Sequence, residues 1–170
     1  PTKGTFASAY IVHGLAPQDA AYAYSILIQP TAGELAVAQK EPGYSILRRD
    51  RQAHIVFDRA SGVTGYAAFE AVSLPEDEVV TDIASETMVM RRTAEDGTLI
   101  VSVCDPDLHI KEKTYTTPEP SAPSFKTLHL RGVWSLAVPN EKVKVQSAGD
   151  VTEITVTCRH GQPVEFRLKK

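Results

Sequence analysis

Ala94-Glu95-Asp96-Gly97-Thr98-Leu99-Ile100-Val101-Ser102-Val103 decides the fold class of this chain. Its Asp-Gly pair is the dipeptide that accepts the positive φ of a tight hairpin, and the apolar, β-branched run behind it has the length of a strand. Runs of the same kind recur at Ala53-His54-Ile55-Val56-Phe57, Gly65-Tyr66-Ala67-Ala68-Phe69-Glu70-Ala71-Val72, Thr127-Leu128-His129-Leu130-Arg131 and Glu153-Ile154-Thr155-Val156-Thr157. Their period is nearer two than three and a half, and turn formers bound each one, so they read as strands with one face in a core. Ser147-Ala148-Gly149-Asp150 and Arg159-His160-Gly161-Gln162 supply two more hairpin turns. The sheets are therefore expected to be mostly antiparallel.

One segment breaks the rhythm. Thr31-Ala32-Gly33-Glu34 has the capping-box form, and Leu35-Ala36-Val37-Ala38-Gln39-Lys40 continues it for one or two helical turns. Glu41-Pro42-Gly43 ends the helix, because Pro42 lacks a donor and disfavours an α conformation at Glu41. A short connector of this kind marks a handover, which puts a domain boundary near Gly43. Lys111 to Ser124, with Pro118, Pro120 and Pro123, cannot ladder and is expected to be an exposed loop or crossing. About ten strands with almost no helix make an all-β protein, an antiparallel β-sandwich with one short connecting helix.

With 170 residues and a formal net charge of -3, the chain can bury a real core and lacks the basic footprint of a nucleic-acid binder. Its dense basic run, Arg48-Arg49-Asp50-Arg51, is shorter than a functional basic patch of roughly 5–8 residues, and alternation sends Arg48 and Arg49 to opposite faces. No apolar run approaches the roughly 18 residues of a membrane span. Cys104 and Cys158 are far apart, without Cys-x-x-Cys or His-x-x-x-His companions, and are expected to be free thiols rather than metal ligands. Neither a metal nor a cofactor is called for. Asp105-Pro106-Asp107 reads as an Asx turn out of a strand, being too poor in oxygen ligands for calcium. The start at Pro1, without an initiator Met, implies a processing site or a boundary within a longer protein.

The stretch His13-Gly14-Leu15-Ala16-Pro17-Gln18-Asp19-Ala20-Ala21-Tyr22-Ala23-Tyr24, running on into Ser25-Ile26-Leu27-Ile28-Gln29-Pro30, breaks one strand-like run (Thr5 to Val12), turns, and enters a second run studded with aromatics. It resembles the segment HG-x-x-P-x-x-A-x-Y-A-Y near the carboxyl end of the polysaccharide lyases that degrade chondroitin and hyaluronan. Tyr44 to Asp58, followed by Gly65-Tyr66-Ala67-Ala68-Phe69-Glu70, resembles the opening of the carboxyl-terminal β-sandwich of those enzymes. Val101-Ser102-Val103-Cys104-Asp105-Pro106-Asp107-Leu108 and Leu128-His129-Leu130-Arg131-Gly132-Val133-Trp134 are similar to the chondroitin sulfate ABC branch more than to the hyaluronate branch.

The resemblance implies a bacterial enzyme, secreted or periplasmic, that cleaves chondroitin and dermatan sulfates by β-elimination. In that family the catalytic His, Tyr and Arg belong to a helical toroid and a further Glu to the early central β-domain. No position of this chain matches those motifs, so no catalytic residue is carried over. Residues 1–43 are then the end of the larger central β-supersandwich and 44–170 the accessory sandwich, a structural, inactive portion whose partners are the upstream lyase domains and, through the full enzyme, the glycosaminoglycan.

Candidate site residues have to be weighed against that expectation. β-Elimination needs a base, an acid and a group that neutralises the uronate carboxylate, and His13, Tyr22 and Tyr24 are of suitable types. Tyr22 and Tyr24, two apart, also make an ordinary aromatic pair on one sheet face, and His13 an ordinary turn histidine, which is the favoured reading. No Gly-x-Ser-x-Gly elbow, phosphate loop or His-Glu-x-x-His occurs. The alternative function is a free-standing carbohydrate-binding module that holds glycosaminoglycan through exposed aromatics, Trp134 foremost, and Arg48, Arg49, Arg51, Arg91 or Arg92. Alternation puts Trp134 on one face with Leu136, Leu130 and Leu128, which favours the core.

Overall fold

The computed structural model describes residues 4, 10–18, 20–107 and 122–170. The chain forms two compact units, Pro1–Glu41 and Pro42–Lys170. In the first unit, Thr31 caps helix α1 (Ala32–Lys40): its side chain accepts from the Glu34 backbone N–H, and the Glu34 carboxylate accepts from the Thr31 backbone at 2.7 Å. The helix continues through Lys40 and ends at Glu41, as expected, and none of its residues is buried.

Of the two strands expected around the His-Gly turn, the described residues form neither. Residues 5–9 of the first lie outside the described residues, and Tyr10–Val12 and the run from Tyr22 to Ile28 carry no strand. Strand composition states only that residues suit a half-buried pleated surface; a ladder also needs a neighbour to hydrogen-bond, and these residues are exposed.

The second unit is a β-sandwich. The strands are β1 (Tyr44–Arg49), β2 (Ala53–Asp58), β3 (Val63–Ala68), β4 (Val72–Ser73), β5 (Val80–Ile83), β6 (Thr87–Thr93), β7 (Leu99–Cys104), β8 (Ser124–Arg131), β9 (Ser135–Leu136), β10 (Val143–Ala148), β11 (Val151–Cys158) and β12 (Val164–Lys169). A seven-stranded sheet runs β1-β2-β3-β6-β7-β12-β9 and a five-stranded sheet β10-β11-β8-β5-β4, and the pairings are antiparallel. The alternation works as read: Leu99, Val101 and Val103 of β7 are buried against Leu128, Leu130, Ile154 and Val156 of the opposite sheet.

The Asp96-Gly97 hairpin closes as expected, with Gly97 at φ +82°, the Asp96 carboxylate accepting from Thr98 N–H, and Ala94 N–H bonded to the Thr98 carbonyl at 2.8 Å. Gly149, at φ +61°, turns β10 into β11. The Arg159–Gln162 turn differs from the expectation. It has a local antiparallel bridge, but β11 and β12 belong to different sheets, so it is a corner of the sandwich. The expected loop from Lys111 lies in undescribed residues up to 121, and its last residue, Ser124, already opens β8.

Among the described residues no helix is long and apolar enough to cross a membrane.

Candidate functional site

The residues singled out from sequence fall in both units and are described unit by unit. In the amino-terminal unit, Gly14 (φ +79°) and Ala16 (φ +51°) turn the chain after His13. The His13 ring lies 5.8 Å from that of Tyr22, and the Tyr22 and Tyr24 rings stack at 6.1 Å, as side chains two apart on extended backbone can. Both tyrosines are exposed, at 61% and 67%. The trio is an aromatic row open to solvent.

Arg48 and Arg49 do point to opposite faces. A bulge between Ile46 and Arg48 makes Leu47 the extra residue, so Arg48 pairs with the buried Ile55 and Arg49 with the exposed His54. Arg48 spends its guanidinium on structure: Nε donates to the Asp50 carboxylate at 2.6 Å, Nη2 to Gln52, and Nη1 crosses to the Ser73 carbonyl in the other sheet at 3.0 Å. Asp50 accepts from the Ala53 and Gln52 N–H groups as well, and the Ala53 bond, then Arg48, holds its carboxyl down to about 2. Arg91 is also engaged, as described below. Of the arginines proposed for sugar binding, Arg49, Arg51 and Arg92 are exposed or nearly so and spread over β1, its following turn and β6.

Trp134 is 7% exposed and offers no platform to a ligand. Its environment differs from a continued strand: Gly132, at φ +88°, takes the chain out of β8 and across to β9 in the other sheet, and Trp134 fills the crossing. Its indole N–H donates to the Arg131 carbonyl at 2.8 Å and its backbone N–H to the Thr152 hydroxyl at 2.9 Å, while that hydroxyl donates to the Gly132 carbonyl at 2.7 Å. The Lys170 ammonium sits 5.2 Å above the ring.

Three polar constellations were not found by sequence reasoning. At one end of the interior, the Tyr66 hydroxyl donates to Asp77 at 2.5 Å and accepts from Arg91 Nε at 2.7 Å, while Arg91 Nη2 meets both Asp77 oxygens at 3.1 and 3.3 Å. Burial drives the Tyr66 phenol above its ordinary value, Arg91 opposing and Asp77 reinforcing. Burial would likewise raise Asp77, but the Tyr66 hydroxyl, the Val79 and Val80 N–H groups and Arg91 hold it down. Elsewhere in the interior, Lys126 pairs with Asp105 at 3.2 Å and Glu86 at 3.0 Å; Ser124 donates to Asp105, and Asp107 N–H closes the expected Asx turn on it at 3.0 Å. Burial alone would lower Lys126; its two carboxylates raise it.

On the outer face of the five-stranded sheet, Asp82, His129 and Glu153 lie in one row across β5, β8 and β11. His129 Nδ1 is 2.6 Å from Asp82 and Nε2 3.3 Å from Glu153. Partial burial would lower the imidazole, but Asp82 and then Glu153 outweigh it and raise its pKa.

These arrangements suit structure better than proton abstraction. A Tyr beside an Arg is the right pair of types for elimination, yet this phenol is raised rather than lowered, and its arginine is neutralised by Asp77. His129 has both ring nitrogens engaged by carboxylates, which stabilises the imidazolium and leaves no lone pair for a base. Burial raises both thiols, Cys104 and Cys158, and so blunts their reactivity; they are free, as expected. Among the described residues no cluster of His, Cys, Asp or Glu is set to hold a metal ion. One signal was available in sequence: Lys126 occupies an inward position of the Lys126, Leu128, Leu130 alternation, where a charge requires a buried partner.

No family profile matches the chain. It is 37% identical over 173 aligned residues to the chondroitin sulfate ABC endolyase of Proteus vulgaris, covering 99% of this chain and 16% of that enzyme. Chondroitin sulfate ABC exolyases are similar too: that of Proteus vulgaris is 30% identical over 86% of this chain, and that of Bacteroides thetaiotaomicron 28% over 99%. The chain spans only 16% to 19% of the length of these relatives. Among solved structures, chondroitin AC lyase of Streptomyces coelicolor A3, determined as a variant and in complex with chondroitin sulphate, matches 82% of this chain and 17% of its own, with TM-scores of 0.59 and 0.58 at 15% identity, a likeness of fold. Matched in sequence from end to end by a short stretch of much longer enzymes, and folded as antiparallel sheets like a stretch of chondroitin AC lyase, the chain is homologous along its length to part of the chondroitin sulfate ABC lyases.

Proposed function

We propose that this chain is the carboxyl-terminal β-domain portion of a bacterial chondroitin sulfate lyase, a structural part of an enzyme that cleaves glycosaminoglycan by β-elimination with catalytic groups carried elsewhere in the polypeptide. The observation behind this reading is the pairing of near-complete coverage of the chain with 16% coverage of the endolyase. Residues 1–43 would end the central supersandwich and 44–170 form the accessory sandwich. The unladdered, aromatic-rich run from Tyr22 to Ile28 supports that division: strand-type residues exposed on all sides suit a strand whose neighbours belong to the preceding domain. A polymeric substrate is met outside the cell membrane, so the full enzyme would work in the periplasm or the medium.

The test is absorbance of the unsaturated uronate product on chondroitin sulfate, dermatan sulfate and hyaluronan. The 170-residue chain should form none, since even a positioned base supplies only about 10²–10⁴-fold. Product that vanishes in His13→Ala or Tyr22→Phe would overturn the reading. Tight retention on immobilised chondroitin sulfate that is lost in Arg49→Ala or Arg92→Ala would make the chain a binding module instead.

A further inference from the structure

The two outer faces of the sandwich differ in kind. On the five-stranded sheet the outward positions of β8 are Phe125, Thr127, His129 and Arg131 and those of β11 are Val151, Glu153, Thr155 and Thr157, a surface that is polar except for Phe125 and Val151 near the strand ends, as expected of an antiparallel sheet facing water. The seven-stranded sheet breaks that rule. Ile46 of β1, Val56 of β2, Gly65 of β3 and Met90 of β6 stand in register across four strands, and Ala67 and Met88 are opposed in the next row. Ile46, Val56, Met88 and Met90 are 45%, 37%, 49% and 56% exposed.

Gly65 and Ala67 keep the middle of this face low: Ile46 and Val56 flank Gly65 on one side, His54 flanks Ala67, and Met88 and Met90 form the wall on β6. A Cβ added at Gly65 would meet nothing nearer than the Val56 carbonyl at 4.0 Å, so there is room above the backbone. Shape and composition together describe a shallow apolar trough. Flexible methionine on one wall suits a packed partner more than a rigid sugar ring, which stacks on aromatic faces.

We propose that this trough is the docking face for the remainder of the longer lyase polypeptide, an apolar ridge of which covers Met88 and Met90. The inference rests on the reading that the chain is one portion of such an enzyme. If it is, most of the polypeptide lies outside these residues, since the chain spans 16% of its endolyase relative. Domains of one chain usually share roughly 600–1,500 Å² of interface, and an apolar face is where that area is cheapest to desolvate. The trough's margin carries Arg49, Arg92 and Arg167 against Asp58 and Glu165. That net basic rim disfavours a second copy of itself and suits a ridge bordered by carboxylates.

Both methionines of the chain lie on this face, so mass spectrometry after hydrogen peroxide treatment reads it directly. In the 170-residue chain both should form sulfoxide nearly as fast as a free methionine peptide. In the longer enzyme both should react at least several-fold more slowly. Equal rates in the two proteins, or protection already present in the 170-residue chain, would overturn the docking face. A gene that encodes these residues alone would overturn the lyase-portion reading and the docking face with it, whereas equal rates in a genuine longer lyase would sink the docking face only.

Discussion

Replacing Trp134 by Ala should cost stability and leave sugar binding untouched. The indole fills the passage between sheets where β8 hands over to β9, and it is the donor to the Arg131 carbonyl. Truncating a buried aromatic to Ala costs about 3–5 kcal/mol through lost burial and the cavity left behind. For a chain of this size each kcal/mol moves the melting temperature by roughly 2–4 °C, so the midpoint should fall by about 6–20 °C. Far-UV circular dichroism is the assay, because the variant removes the only tryptophan and its fluorescence with it. Trp134→Phe separates the contributions: it keeps most of the packing and deprives the carbonyl of its donor, for a loss of about 1–2 kcal/mol. A Trp134→Ala chain that melts with the parent would refute the packing argument, and one that also no longer binds chondroitin sulfate would show a ligand platform.

Two further outcomes follow from particular contacts. His129 has a folded-state pKa raised above its ordinary 6.5, so its contribution is full below that pH and is lost as pH rises through the folded value; melting temperatures taken upward from about pH 6 should fall in the parent and stay flatter in His129→Gln, and parallel curves would deny that the Asp82 and Glu153 contacts are coupled to folding. A chain beginning at Pro42 should unfold as cooperatively as the whole, because Pro42 and Gly43 carbonyls accept from Arg59 at 2.8 and 2.9 Å while α1 buries nothing; an aggregated or molten product would mean that residues before Pro42 complete the sandwich core.

What could be read from sequence was what depends on near neighbours. The Asp96-Gly97 turn, the Thr31 capping box, the inward set Leu99, Val101 and Val103, and the opposite facing of Arg48 and Arg49 follow from local stereochemistry, and the structure has them. Partners brought by topology were invisible. His129 meets Asp82 and Glu153 only because β5 and β11 flank β8, and Arg91 meets Asp77 only because the β4–β5 turn folds over β3 and β6. Trp134 shows the limit most clearly. Its burial was expected from an alternation carried through Gly132, yet Gly132 ends that strand, and the side chain is buried by the switch between sheets instead.

The amino-terminal motif presents the converse case, a segment legible as kinship whose strand-like composition misleads about local structure. His13, Tyr22 and Tyr24 match the lyase pattern closely, but matching residues do not bring their neighbours with them, and here the rings contact one another and water. Strand-type side chains gain stability only when a second strand takes up the backbone bonds and a facing surface takes up the apolar area. The trough over Gly65 and Ala67 has the same character: apolar side chains in register with nothing laid on them. Exposed apolar side chains in each of the two units are what a portion of a larger enzyme should carry. That makes the chain's own stability a poor measure of what these surfaces do, and protection of Met88 and Met90 in the longer polypeptide the direct one.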